Sequence, residues 1–120
     1  MAAKTDKPNG VEHKMGDVIE RGALDDGRPF HDIFLGEGKT YRVTRIWVKD
    51  ADAAWDASQL PDDKGFNPRL NSRLRLASSI VDPATTIDDF DRLTEVELSA
   101  LFRGFGRLNE LPRADDSGNA

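Results

Sequence analysis

The sequence predicts a mainly α fold of the α+β type: a small N-terminal β-hairpin packed on a bundle of three to four helices, with disordered N- and C-terminal tails. Three observations predict it. Leu98, Leu101, Phe102, Phe105 and Leu108 recur at i, i+3, i+4, i+7 and i+10, which places them on one face of a 3.6-residue helix. Residues 40–48 concentrate β-branched and aromatic side chains behind a glycine-containing turn, the pattern of a hairpin strand. Residues 1–28 and 113–120 are polar and broken by glycine or small residues, so they read as flexible tails around one globular domain over residues 29–112.

In the first tail, Val11, Met15, Val18, Ile19 and Leu24 are apolar, but glycines at 10, 16, 22 and 27 interrupt them. A turn of helix at 16–21 would fray on its own. Phe30-His31-Asp32-Ile33-Phe34-Leu35 then reads as a strand, Gly36-Glu37-Gly38-Lys39 as a turn, and residues 40–48 as the returning strand. A lone hairpin is not stable in water. Phe34, Val43, Ile46, Trp47 and Val48 are therefore expected to supply contacts to the helices.

Asp50 can cap a short helix at 51–58, with Ala51, Ala54 and Trp55 at helical spacing. Pro61, Asp62, Asp63 and Gly65 form a turn signature. Asn67 stands as an N-cap before Pro68 at the first helical position. The helix it opens, 68–81, presents Leu70, Leu74, Ala77 and Val81, widened by Leu76 and Ile80, and Asp82-Pro83 ends it. Thr86 with Asp89 opens a short helix at 87–93 that turns Ile87, Phe90 and Leu93 inward. Thr94 with Glu97 is a capping box for the last helix, which Pro112 stops.

Composition narrows the function. The 120 residues carry 22 carboxylates against 17 lysines and arginines, for a formal charge of −5. Sequence-independent nucleic-acid binding and docking on anionic membranes both need a basic surface, so neither partner is expected. The absence of cysteine removes disulfide and thiolate chemistry. No apolar run is long enough to span a bilayer and no hydrophobic signal region opens the chain, which predicts a soluble intracellular protein.

Catalytic patterns are weak. His13 and His31 without cysteine do not make a structural zinc set, and neither sits in an HExxH spacing. The acidic pairs Asp25-Asp26, Asp62-Asp63, Asp88-Asp89 and Asp115-Asp116 fall in turns, tails or a helix start, where carboxylates cap and solubilise. A small enzyme holding Mg²⁺ on Asp88 and Asp89 is the reading they would otherwise support. Gly36-x-Gly38 lacks the third glycine of a dinucleotide loop, and no serine lies in a Gly-x-Ser-x-Gly elbow. No catalytic residue, metal ligand or cofactor is therefore assigned.

Two features admit a pair of readings each. Gly104 and Gly106 interrupt the last helix, either to let another helix approach closely or as a hinge. Arg69, Arg73 and Arg75 precede the acidic stretch Asp82, Asp88, Asp89, Asp91, Glu95 and Glu97. They either complement each other within the molecule or form a bipolar surface that stacks copies or grips a partner helix.

Four stretches carry a family resemblance: Asn67-Pro68-Arg69-Leu70, Ala77-Ser78-Ser79-Ile80-Val81-Asp82-Pro83, Leu93-Thr94-Glu95-Val96-Glu97-Leu98 and Leu108-Asn109-Glu110. In this order, after a small hairpin, they resemble the tail assembly chaperones of long-tailed phages over roughly residues 30–111. The resemblance implies a non-enzymatic, mostly helical protein of the host cytoplasm. It would bind the tape-measure protein, and by extension meet the tail-tube protein or further copies of itself, and keep the tape measure soluble during tail-tube assembly. The alternative is a structural virion component, such as a tail-completion or head–tail connector protein. Leu98, Leu101, Phe102, Phe105, Leu108 and Leu111 are the expected partner-binding residues, with most of the stripe in the core and the far end, 105–111, facing the partner.

Overall fold

The structure is a computed structural model that describes residues 12–110. Four strands, β1 (Val18–Ala23), β2 (Pro29–Gly36), β3 (Lys39–Thr44) and β4 (Ile80–Asp82), form one antiparallel sheet in chain order. Three helices complete it: α1 (Val48–Ala57), α2 (Pro68–Ser79) and α3 (Glu95–Asn109). Two 3-10 segments, Pro61–Asp63 and Ile87–Arg92, lie in the connections.

The expected mainly helical bundle with a small hairpin is thus corrected to a four-stranded sheet carrying three helices. The β2–β3 hairpin is where the sequence places it, with Phe30 opposite Thr44 and Ile33 opposite Tyr41. Two strands were not expected. β1 lies in the stretch taken for a tail, so the ordered sheet begins before Pro29. Its exposed Glu20 and Arg21 and its glycine hide the strand pattern, as suits an edge strand that must not recruit another chain. β4 begins as soon as α2 ends, without a turn, because Ile80 leaves helical geometry and pairs with Val43. The expected helix 68–81 therefore stops at Ser79. The strand expected to reach Val48 likewise stops at Thr44, and α1 takes Val48 as its first residue.

Strand alternation divides the sheet's residues. His31, Ile33 and Leu35 of β2, with Tyr41 and Val43 of β3, face α3. They meet Ala100, Leu101 and Leu108 of α3, Leu76 of α2, Ile80 and Phe90 in the core. The opposite face carries Phe30, Asp32 and Arg42. There the Arg42 guanidinium grips Asp32 through two hydrogen bonds of 2.8 and 3.0 Å and lies 3.8 Å above the Phe30 ring. This bidentate grip raises the Arg42 pKa above its ordinary value. Phe30 also covers Gly22 of the neighbouring strand, whose missing Cβ would lie 2.7 Å from the ring.

α3 runs in the same direction as β3 and is tied to it at both ends. At the start, Thr94 and Glu97 form the expected capping box, and Glu97 also accepts from Lys39 at 3.0 Å. The Thr94 N–H first, then the Lys39 ammonium, hold the Glu97 carboxyl below its usual range. At the far end, the Asn109 carbonyl oxygen accepts from the Ile46 N–H at 3.0 Å. The Asn109 amide donates to the carbonyls of Thr44 and Phe105, and Arg45 donates to the Leu108 carbonyl.

Candidate partner-binding surface

Most of the apolar stripe of α3 is consumed by the core. Leu101 and Leu108 are buried, and Leu98, Phe102 and Phe105 are half-buried against the same cluster. Leu111, like Pro112 and Asp115-Asp116, lies outside the described residues. A side chain that fills the core cannot also coat a partner while the fold is closed. What remains accessible is a shallow groove of about 480 Å³ beside Gly106, lined by Phe102, Arg103, Arg107 and Glu110.

Among the described residues, Val96, Val81 and Met15 are exposed elsewhere, and α1 with its flanking residues carries the remaining exposed large apolar side chains. Only Ala54 of this helix is buried, and its small residues Ala53, Ala54 and Ala57 face Leu74 and Ser78 of α2 across a narrow groove. Val48 and Trp55 project from another flank. Seven residues apart on a helix advancing 100° per residue, they lie within about 20° of one another. Val48 is 77% exposed and Trp55 46%. Trp47, just before the helix, is 45% exposed and has the Arg28 guanidinium 4.6 Å above its ring.

The following loop enlarges this flank. The N–H of Leu60 donates to the Gly65 carbonyl, and the Asn67 N–H donates to the Ser58 carbonyl. These bonds fold residues 58–67 back on themselves. Gln59 and Phe66 pair across the loop, and Phe66 stacks against Trp55 at 4.6 Å. Leu60 in the same loop is also largely exposed.

Sequence reasoning missed this flank because it assigned Trp47 and Val48 to a strand packed on the helices and grouped Trp55 with Ala51 and Ala54 at helical spacing. The available signal was the 4- and 3-residue spacing of Val48, Asp52 and Trp55, a stripe distinct from the alanines.

Groups that could suggest catalysis have structural occupations. Asp89 accepts from the Thr86 N–H at 2.8 Å and from Arg92, and these contacts lower its pKa. Asp26 accepts from Arg28, which lowers its pKa in the same way. Ser58 and Ser79 are buried and donate to the carbonyls of Trp55 and Leu76 at their helix ends. His13 stacks on Phe34, whereas His31 lies on the α3 side of the sheet. Burial first, then the nearby charges of Arg21 and Arg107, push the His31 pKa below its ordinary value. Among the described residues no group of three or more His, Asp or Glu is placed to hold a metal ion, and no helix is long and apolar enough to cross a membrane.

Arg69 and Arg73 line one groove with Asp88 and Asp91, and among the described residues no ion pair within 4.0 Å joins them. Arg75 reaches over the Phe105 ring instead, at 5.5 Å.

No protein-family model, curated protein or solved structure matches the chain.

Proposed function

We propose that this chain is a non-enzymatic tail assembly chaperone of a long-tailed phage, acting in the host cytoplasm on the tape-measure protein. The observation that carries the binding reading is α1, which turns alanines toward the body and presents Val48 and Trp55 to solvent. Paired with Phe66 and flanked by Trp47, this is an aromatic-rich surface of the kind that anchors a partner. The phage assignment rests on the four stretches that resemble the family. Their residues occupy structural joints: Asn67 caps α2, Ile80 starts β4, Thr94 and Glu97 cap α3, and Asn109 clamps α3 to β3. These residues specify a framework, and the proposed binding surface precedes them in the chain, on α1.

The chaperone reading is tested by co-expression with the phage's tape-measure protein followed by affinity capture. A soluble complex, with the tape measure insoluble alone, supports it. A tape measure that stays insoluble, together with this chain's presence in purified particles by mass spectrometry, replaces it with a structural virion role.

A further inference from the structure

We propose that the α1 flank selects a basic amphipathic helix: a partner helix whose apolar stripe seats on Val48, Trp55 and Phe66 beside a row of lysine or arginine. This rests on the reading that the flank is the partner surface, and it adds the chemistry of the occupant.

The charge around the flank carries the argument. Residues 48–64 hold five carboxylates, Asp50, Asp52, Asp56, Asp62 and Asp63, against Lys49 and Lys64. Asp52 lies one turn beyond Val48 and one turn before Trp55, and Asp56 continues that row by a further turn. Asp62 and Asp63 stand at the tip of the folded loop whose base holds Phe66 against Trp55. Among the described residues, none of the five has a lysine, arginine or histidine nitrogen within 4.0 Å. Asp52 and Asp56 thus border the apolar stripe along one side with no cation within that distance, whereas Asp50 lines the groove that faces α2.

An opposing helix with a basic row satisfies both parts. Its apolar residues bury Val48 and Trp55, and its cations meet the unpaired acids, which favours encounter and rejects acidic competitors. The arginines of a second copy are less suited. Arg69 and Arg73 share a groove with acids of their own chain, and Arg75 lies over Phe105.

The chain contains two tryptophans, Trp47 and Trp55, so intrinsic fluorescence reads this surface directly. The test titrates the full chain with two designed helical peptides sharing one leucine stripe, one flanked by lysine and the other by glutamate. The expected result is saturable binding of the lysine peptide, at least about tenfold tighter than the glutamate peptide at low salt and approaching it near 0.5 M salt. Val48→Ser should weaken the lysine peptide, and Asp52→Asn with Asp56→Asn should reduce the preference. Equal binding of both peptides overturns the charge selection but keeps the flank as a binding surface. Binding of neither overturns the flank itself. Lysine-peptide affinity unchanged by Val48→Ser reduces the effect to unspecific charge attraction, and a fluorescence change on concentration alone makes the occupant a second copy; either overturns the proposal.

Discussion

Gly104 and Gly106 stand one residue apart in α3 and meet different surroundings. A Cβ on Gly104 would lie 2.9 Å from Cδ1 and 3.1 Å from Cγ1 of Ile33, a side chain with no exposed surface. The close approach is therefore of helix to sheet, and α3 continues through both glycines to Asn109. Gly104→Ala should lose about 1–3 kcal/mol to overpacking, offset in part by better helix propensity. At Gly106 the nearest such contact is 3.6 Å away, on the Glu110 side chain, so Gly106→Ala should gain about 0.5–1 kcal/mol. Denaturant midpoints of the two variants should move in opposite directions. His31 makes a second residue-scale prediction. Its folded pKa is depressed by burial and by Arg21 and Arg107, so the unfolded chain binds the proton more readily. Stability from the neutral imidazole is complete above the unfolded value of about 6.5 and is lost as pH falls through the window down to the folded pKa. His31→Gln should flatten that part of the pH–stability profile measured by urea unfolding. None of this was legible locally: the sequence shows a glycine and a histidine, but Ile33 and Arg107 reach them only across the folded sheet.

At the scale of elements, local signals placed the helix starts and long-range pairing set several ends. The capping box at Thr94 and Glu97 and the Asn67-Pro68 start were legible because each is made within one turn. The end of α2 was not, since the apolar spacing continues through Ile80 and Val81. Pairing of Ile80 with Val43 makes that segment a strand instead. The other end of α3 depends on Asn109, which joins the Ile46 N–H to the Thr44 carbonyl. Asn109→Ala leaves both backbone groups without this partner and should cost about 1–3 kcal/mol. Hydrogen exchange should then show earlier opening at residues 44–48 and in the last turn of α3. α1 is the converse case. Its apolar content looked like core material, but small alanines suffice for its contact with α2, leaving the valine and tryptophan flank outside.

For the whole molecule, folding and binding are expected to separate by surface. Val48→Asp changes an exposed position, so its unfolding stability should stay within about 0.5 kcal/mol of the parent, whereas Trp55→Asp also loses the contact with Phe66 and should cost about 0.5–1.5 kcal/mol. Under the proposed chaperone role, these variants should fail to keep the tape-measure protein soluble in co-expression. Leu101→Ala, at a fully buried site, should instead cost about 2–5 kcal/mol and reduce solubilisation only by lowering the folded population. Measuring stability and solubilisation on the same variants distinguishes a contact residue from a core residue.

By itself the sequence determined the β2–β3 hairpin, the capped starts of α2 and α3, and an apolar face on α3 large enough to organise a core. Each follows from side-chain periodicity or from hydrogen bonds closed within a few residues. Tertiary structure decided that β1 and β4 widen the hairpin into a four-stranded sheet, that Gly104 seats α3 on Ile33, and that Val48 and Trp55 are left over. Edge pairing, close approach and surplus apolar surface are relations between distant segments, fixed only when the core is filled.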